Sequence, residues 1–219
     1  TGYHVQISFA KELNKKMSAM YGLQYQRFSN QSEYRAEHSY VKANENTNNA
    51  GELEYSTNLE LLTPIGLHNE DMLVPLGNNS IDDQEEIVHI TDMKNRFDVA
   101  GLHVGLRYNL IQSGVMSFYV NGSVAANYFL SVNEQLSTKV YYEGRMLDEF
   151  KFDHRTKGQL DNLFLQGSFG LGLDRQITSR LSLGMNIQGS SSINSIQKPG
   201  PVKLHLRQAG ALLNVGYRF

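Results

Sequence analysis

Apolar and polar residues alternate with a period of two along most of the chain, the pattern of a β-strand with one apolar face. It is clearest from Phe97 to Leu110. There Ala100, Leu102, Val104, Leu106, Tyr108 and Leu110 take one parity, and Gly101, His103, Gly105, Arg107 and Asn109 take the other. Successive side chains of a strand point to opposite faces, so one face is apolar and the other small, polar or charged. Beyond the turn at Ile111–Gly114, the set Met116, Phe118, Val120, Val124, Ala126, Tyr128, Leu130 opposes Ser117, Tyr119, Asn121, Ser123, Ala125, Asn127. Leu163, Leu165, Phe169, Leu171 and Leu173 oppose Phe164, Gln166, Ser168, Gly170, Gly172 and Asp174. Leu181, Leu183, Met185 and Ile187 oppose Ser182, Gly184, Asn186 and Gln188. The last segment sets Ala209, Ala211, Leu213, Val215, Tyr217 and Phe219 against Gly210, Leu212, Asn214, Gly216 and Arg218. Two more runs lie near the start, on Tyr3, Val5, Ile7, Phe9 and on Ala19, Tyr21, Leu23, Tyr25. Seven strands are predicted.

The composition of the second face decides the environment. A soluble sandwich turns faces rich in Lys, Glu and Thr to water. Here those faces carry Gly, Ser, Asn and Gln, with isolated His103, Arg107, Asp174 and Arg218, while Lys and Glu gather in the connections. Small and mutually bonding polar residues suit the crowded lumen of a narrow barrel. Glycine in mid-strand weakens an ordinary sheet but tolerates tight curvature. The expected fold is therefore all-β, an antiparallel up-and-down transmembrane β-barrel with its apolar face toward lipid. His103, Arg107, Asp174, Asn214 and Arg218 are expected to form a polar network in its lumen. A soluble sandwich or lipocalin-like ligand-binding barrel is the alternative.

The connections alternate in length. Lys11–Lys16, Ile111–Gly114 and Arg175–Arg180 are short, whereas Ser29–Arg96, Ser131–Leu160 and Gly189–Lys203 are long. Outer-membrane barrels pair short periplasmic turns with long extracellular loops in this way. With Phe219 on the periplasmic side, every short turn falls inside. Residues 1–219 are accordingly read as one barrel domain, with 29–96 as a long extracellular loop. Bacterial single-chain barrels have even strand numbers. Eight strands are thus expected, the first before Thr1 or supplied by another chain; the alternative is that Glu52–Leu62 inserts as an extra strand. Within the long loop, Asn44–Asn49 is a polar tract, and Pro64, Pro75 and Met72-Leu73-Val74 suggest a locally packed excursion.

Composition narrows the function classes. The chain has 20 basic and 22 acidic residues, a net charge of −2 and no Cys. Disulfides, thiolate metal sites and thiol catalysis are excluded. With no basic stripe, nucleic acid is not an expected partner. The mean hydropathy is −0.40, and no apolar run approaches the roughly 18 residues of a transmembrane helix. Alternation averages to the same polar value, so hydropathy is blind to membrane strands. The start, Thr1–Phe9, has no basic segment, continuous apolar segment or cleavage site of a targeting peptide.

Candidate chemistry is sparse. The seven His residues show no metal-ligand spacing, and neither a metal nor another cofactor is expected. Asp82, Asp83, Glu85 and Glu86 read as a solvated loop rather than a cation site. Gly167, Gly170 and Gly172 lie within a strand, without the following helix a phosphate cradle needs. His154 and His205, near Asp153 and Ser190–Ser192, are the candidates for a hydrolase at the barrel rim. Nothing in the sequence joins them, and a non-enzymatic protein is expected. Leu213, Val215, Tyr217 and Phe219 form the strongest motif, alternating apolar residues that close on an aromatic. It looks like the signal by which the barrel-assembly machinery recognises a last strand, since an unpaired strand edge invites β-augmentation.

With these features the chain resembles the eight-stranded outer-membrane β-barrel proteins common in Bacteroidota, the porin-family type. The residues carrying the resemblance are Val5–Phe9, Leu13–Ser18, Tyr21–Tyr25, Gly101–Leu110, Ser117–Ser123 and Leu213–Phe219. It implies a Gram-negative outer membrane with its lipid and lipopolysaccharide, and a strand near Thr1 that is the second of the barrel. Eight strands enclose only enough room for their own side chains. The expected role is an anchor or docking subunit for an envelope protein partner. Transport of a small or apolar solute is the main rival. Phe9, Tyr108, Phe118, Tyr217 and Phe219 are expected at the periplasmic boundary, and Tyr3, Tyr25, Phe97 and Tyr128 at the outer one.

Overall fold

The computed structural model describes residues 2–63, 65–77, 81–155, 160–196 and 203–217. Among them, no helix is long and apolar enough to cross a membrane. Apart from a 3-10 turn at Lys42–Asn44, the regular structure of the described residues is antiparallel β, in eleven strands: β1 (Gly2–Glu12), β2 (Met17–Ser39), β3 (Glu45–Thr47), β4 (Leu53–Thr63), β5 (Gly66–Pro75), β6 (Glu86–Ser113), β7 (Met116–Tyr142), β8 (Arg145–His154), β9 (Leu163–Gln176), β10 (Leu181–Ser192) and β11 (Arg207–Tyr217). The larger sheet runs β1-β2-β6-β7-β9-β10-β11, with β8 paired to β7, and β3-β4-β5 form a second sheet. The seven strands of that path are the seven marked by alternation, in chain order. Leu53–Thr63 is a strand as well, but it pairs with β3 and β5 instead of inserting into the larger sheet.

The chain divides into two compact units. One, the meander unit, comprises Gly2–Phe28, Phe97–Ser131 and Gln159–Phe219; the other, the insert unit, comprises Ser29–Arg96 and Val132–Gly158. Strands β2, β6 and β7 contribute residues to both.

In the meander unit the apolar parity is the exposed one. Val5, Ile7, Leu23, Leu102, Val104, Phe169, Ile187, Leu213 and Val215 all stand on the accessible face. Their neighbours Gln24, Gln26, His103, Asn127, Gln166 and Asn186 are buried. On β6 the contrast falls between adjacent residues, Val104 at 64% exposure and His103 at 2%. Pairing is regular here: Val5 lies opposite Tyr25, Phe118 opposite Leu173, and Leu183 opposite Val215. Each face is therefore uniform across strands. At one level the buried face turns aromatic, with Phe97 5.0 Å from Phe28 and 6.0 Å from Phe129, which lies 5.0 Å from Phe164. This corrects the expectation for Phe97. Its odd number puts it on the His103 face, so it stacks inside and takes no part in an outer aromatic belt.

The insert unit has ordinary polarity. The segments 29–96 and 131–160, read from the sequence as connections, carry the ends of β2, β6 and β7 together with β3, β4, β5 and β8. Tyr40, Tyr55, Val74, Leu76, Ile81, Ile87 and Val140 form one buried apolar cluster. Leu59, Leu61, Met72 and Leu136 form another, flanked by Met93, Phe150 and Phe152. Along β7 the buried parity changes: even positions such as Val124 and Leu130 are exposed, whereas Val132, Leu136 and Val140 are buried.

Candidate functional site

The buried face of the meander unit is a hydrogen-bonded polar network. Arg107 of β6 ion-pairs with Asp174 of β9. Its Nε donates to Asn109 Oδ1 at 3.0 Å and its Nη2 to Ser117 Oγ at 2.9 Å. The guanidinium also lies 3.6 Å from the centroid of the Tyr119 ring, a cation–π contact added to a charge-assisted bond. Asn214 of β11 donates to the Tyr119 hydroxyl at 3.1 Å. Two glycines make room: a Cβ on Gly172 would run into the Tyr119 ring, and one on Gly184 into the Asp174 carboxylate.

A second layer surrounds His103. Its Nε2 lies 2.8 Å from Gln6 Nε2 and 3.0 Å from Ser8 Oγ. An amide nitrogen only donates, so the ring nitrogen accepts. A third layer links Gln24 to Asn127 at 2.7 Å, Asn127 to Gln166 at 3.0 Å, Gln26 to Gln166 at 3.1 Å and Gln166 to Ser190 at 2.9 Å. On the opposite parity, at the border of the apolar face, Asp98 accepts from Tyr25 at 2.6 Å, Arg27 at 2.5 Å and Ser131 at 2.7 Å.

These bonds report curvature. Gln26 and Gln166 sit on β2 and β9, and Tyr119 and Asn214 on β7 and β11, each pair three steps apart in the sheet. In a flat sheet that separation is about 14 Å, too far for such contacts. The polar face is concave and the apolar face convex.

Of the residues expected in the lumen, His103, Arg107, Asp174 and Asn214 lie on this concave face; Arg218 lies outside the described residues. Asn214 joins the Arg107–Asp174 pair through Tyr119, whereas His103 belongs to a different layer of the network. Of the terminal motif, Leu213 and Val215 are exposed on β11, at 87% and 72%. The backbone of Tyr217 pairs with Leu181, and Phe219 lies outside the described residues. Each candidate rim histidine has a partner within its own unit. His205 Nδ1 is 3.5 Å from Ser192 Oγ, whereas His154 Nε2 is 3.2 Å from Glu70. Asp82, Asp83 and Glu85 secure their own turn, Asp83 accepting from the Lys42 amide at 3.0 Å and Glu85 from the Tyr142 hydroxyl. That bond holds the Tyr142 phenol up at about 12.

One grouping escaped sequence reasoning. His68, Glu70 and His154 of the insert unit bring ligand-type atoms within 4.8 Å of one another. The histidines show no metal-ligand spacing along the sequence, and it is the fold that brings these three residues together. The sequence trace is only His68-Asn69-Glu70, two like-facing positions of a strand; His154 arrives from 84 residues later. Comparison with protein-family models, curated proteins and solved structures finds no match to this chain.

Proposed function

We propose that this chain is a non-enzymatic outer-membrane β-barrel of a Gram-negative bacterium, serving as an anchor or docking subunit of a cell-envelope complex. One observation carries the reading: the meander unit is inverted, with an apolar convex face exposed and a polar concave face buried and hydrogen-bonded. An apolar surface of that extent in water is a liability, whereas in lipid it is the stable arrangement. It also argues against a soluble lipocalin-like barrel, whose polarity runs the other way. The larger sheet is proposed to close into a barrel, and Leu213, Val215, Tyr217 and Phe219 to engage the assembly machinery. The buried side chains and the Phe97 aromatic layer fill the interior, which favours an anchor over a solute transporter. The connections, folded into a compact unit of their own, supply a water-facing surface for an envelope partner.

The test is purification from outer membranes in mild detergent. The expected outcome is a protein that needs detergent to stay dispersed and that brings an envelope protein with it. A chain soluble at high concentration without detergent would sink the membrane reading. A detergent-dependent monomer with no partner would sink the docking role alone.

A further inference from the structure

We propose that His68, Glu70 and His154 bind one divalent transition-metal cation, zinc fitting best, which clamps β5 to the β7–β8 hairpin, with the Glu134 carboxylate beside it. All four belong to the insert unit. His68 and Glu70 lie two apart on β5, so they share a face. Glu134 of β7 and His154 of β8 are direct cross-strand partners. The donors meet across the two sheets: His68 Nε2 is 2.7 Å from Glu134 Oε1, and His154 Nε2 is 3.2 Å from Glu70 Oε1. The two imidazole rings are 4.3 Å apart.

Two histidine–glutamate ion pairs would explain the proximity but not its other features. The Nε2 atoms of both histidines and both Glu134 oxygens are buried without a well-formed hydrogen bond, even at 2.7 Å. Donor and acceptor are close, but they are not aligned as a hydrogen bond. Ion pairing would also need two imidazolium cations side by side. Their rings lie 4.3 Å apart, which sets those two like charges against each other. Glu134 has a fully buried side chain. An uncompensated carboxylate there is costly. A dication held by two neutral imidazoles and the Glu70 carboxylate, with the Glu134 carboxylate beside it, removes each conflict: every nitrogen lone pair gains an acceptor, and the net charge of the group becomes zero.

The spacing suits a small ion. Zinc bonds of 2.0–2.1 Å in a tetrahedron place ligand atoms about 3.3 Å apart, so only small side-chain adjustments are required. Imidazole donors favour zinc, copper or nickel over calcium and magnesium. Three protein donors leave the fourth position of a tetrahedron open.

The experiment uses the full chain in mild detergent, without a polyhistidine tag, stripped with EDTA and titrated with zinc chloride by calorimetry. One zinc per chain is expected, with a thermal midpoint that rises with zinc concentration as for a ligand of the native state. Cobalt(II) should give the visible absorption of a tetrahedral site. Loss of outer-shell groups alone costs 10–100-fold in metal affinity. His154→Asn should therefore weaken binding by more than about 100-fold, while His205→Asn leaves it unchanged. Glu70→Gln, at a partly exposed position, is the milder variant should His154→Asn fail to fold. Failure of the wild-type chain to take up stoichiometric zinc would overturn the proposal. So would undiminished binding by Glu70→Gln and a His68→Asn/His154→Asn chain.

Discussion

Arg107 shows what a charge requires inside the meander unit. It is held by Asp174, Asn109, Ser117 and the Tyr119 ring, and its side chain and that of Asp174 are 21% and 16% exposed. Removing one partner of a buried pair leaves an uncompensated charge, which costs about 3–5 kcal/mol. Asp174→Asn should lower the urea stability of bilayer-refolded protein by an amount of that order, and adding Arg107→Met should restore most of it. Equal losses in single and double variants would show that the pair is not the source. His89 is a residue-scale case of another kind. It is fully buried in the insert unit, neither ring nitrogen has a hydrogen-bond partner, and its ring lies 4.9 Å from that of His38. Burial, and secondarily His38, lower its pKa to about 4. The unfolded chain takes up a proton near 6.5 and the folded one does not, so the contribution is complete above pH 6.5. It is lost as pH falls toward 4, by up to about 3 kcal/mol. Hydrogen exchange at Ile87–Thr91, corrected for intrinsic rate, should show protection falling across that window, and His89→Leu should flatten the dependence.

At the scale of the strand, exposure alone does not say which solvent a side chain meets. Val104 of β6 and Leu73 of β5 are exposed to similar extents, 64% and 54%, but they belong to units of opposite polarity. Val104→Arg should cost about 2–4 kcal/mol for folding into liposomes, as for arginine near a bilayer midplane. Leu73→Arg should stay within about 0.5 kcal/mol, as for an ordinary surface change. Equal effects would place both residues in water. The same distinction explains what the sequence made legible. In the meander unit each face is chemically uniform, so alternation marked all seven strands and placed His103, Arg107, Asp174 and Asn214 on one face. In the insert unit the pattern is mixed. Residues 30–35 of β2 are exposed at every position and show no apolar period, although they continue the strand. The buried parity of β7 includes Glu134 and Thr138 among Val132, Leu136 and Val140. Polar residues at buried positions erased the period there, and the same residues assemble the histidine–glutamate set. That set depends on register and on contact between two sheets, neither of which is a property of local sequence.

For the molecule as a whole, the filled interior of the meander unit sets the expectation in planar bilayers. On the proposed barrel reading, cross-face bonds such as Gln26–Gln166 and the Phe97–Phe129–Phe164 stack occupy the interior, so no stable conductance should appear; well-defined single-channel steps would favour transport. The change of buried parity along β7 has a consequence for how the chain tolerates variation. Leu130 and Leu136 share a parity of one strand, the first exposed and the second buried among Leu59, Leu61 and Met72. Acyl chains are fluid and close around a missing methyl group, whereas a packed interior retains the void. Leu136→Ala should cost about 2–5 kcal/mol in the insert unit, and Leu130→Ala much less in a bilayer. Across a library of substitutions on this single strand, the Leu130 end should accept any apolar shape. Six residues on, volume should matter to within a methylene.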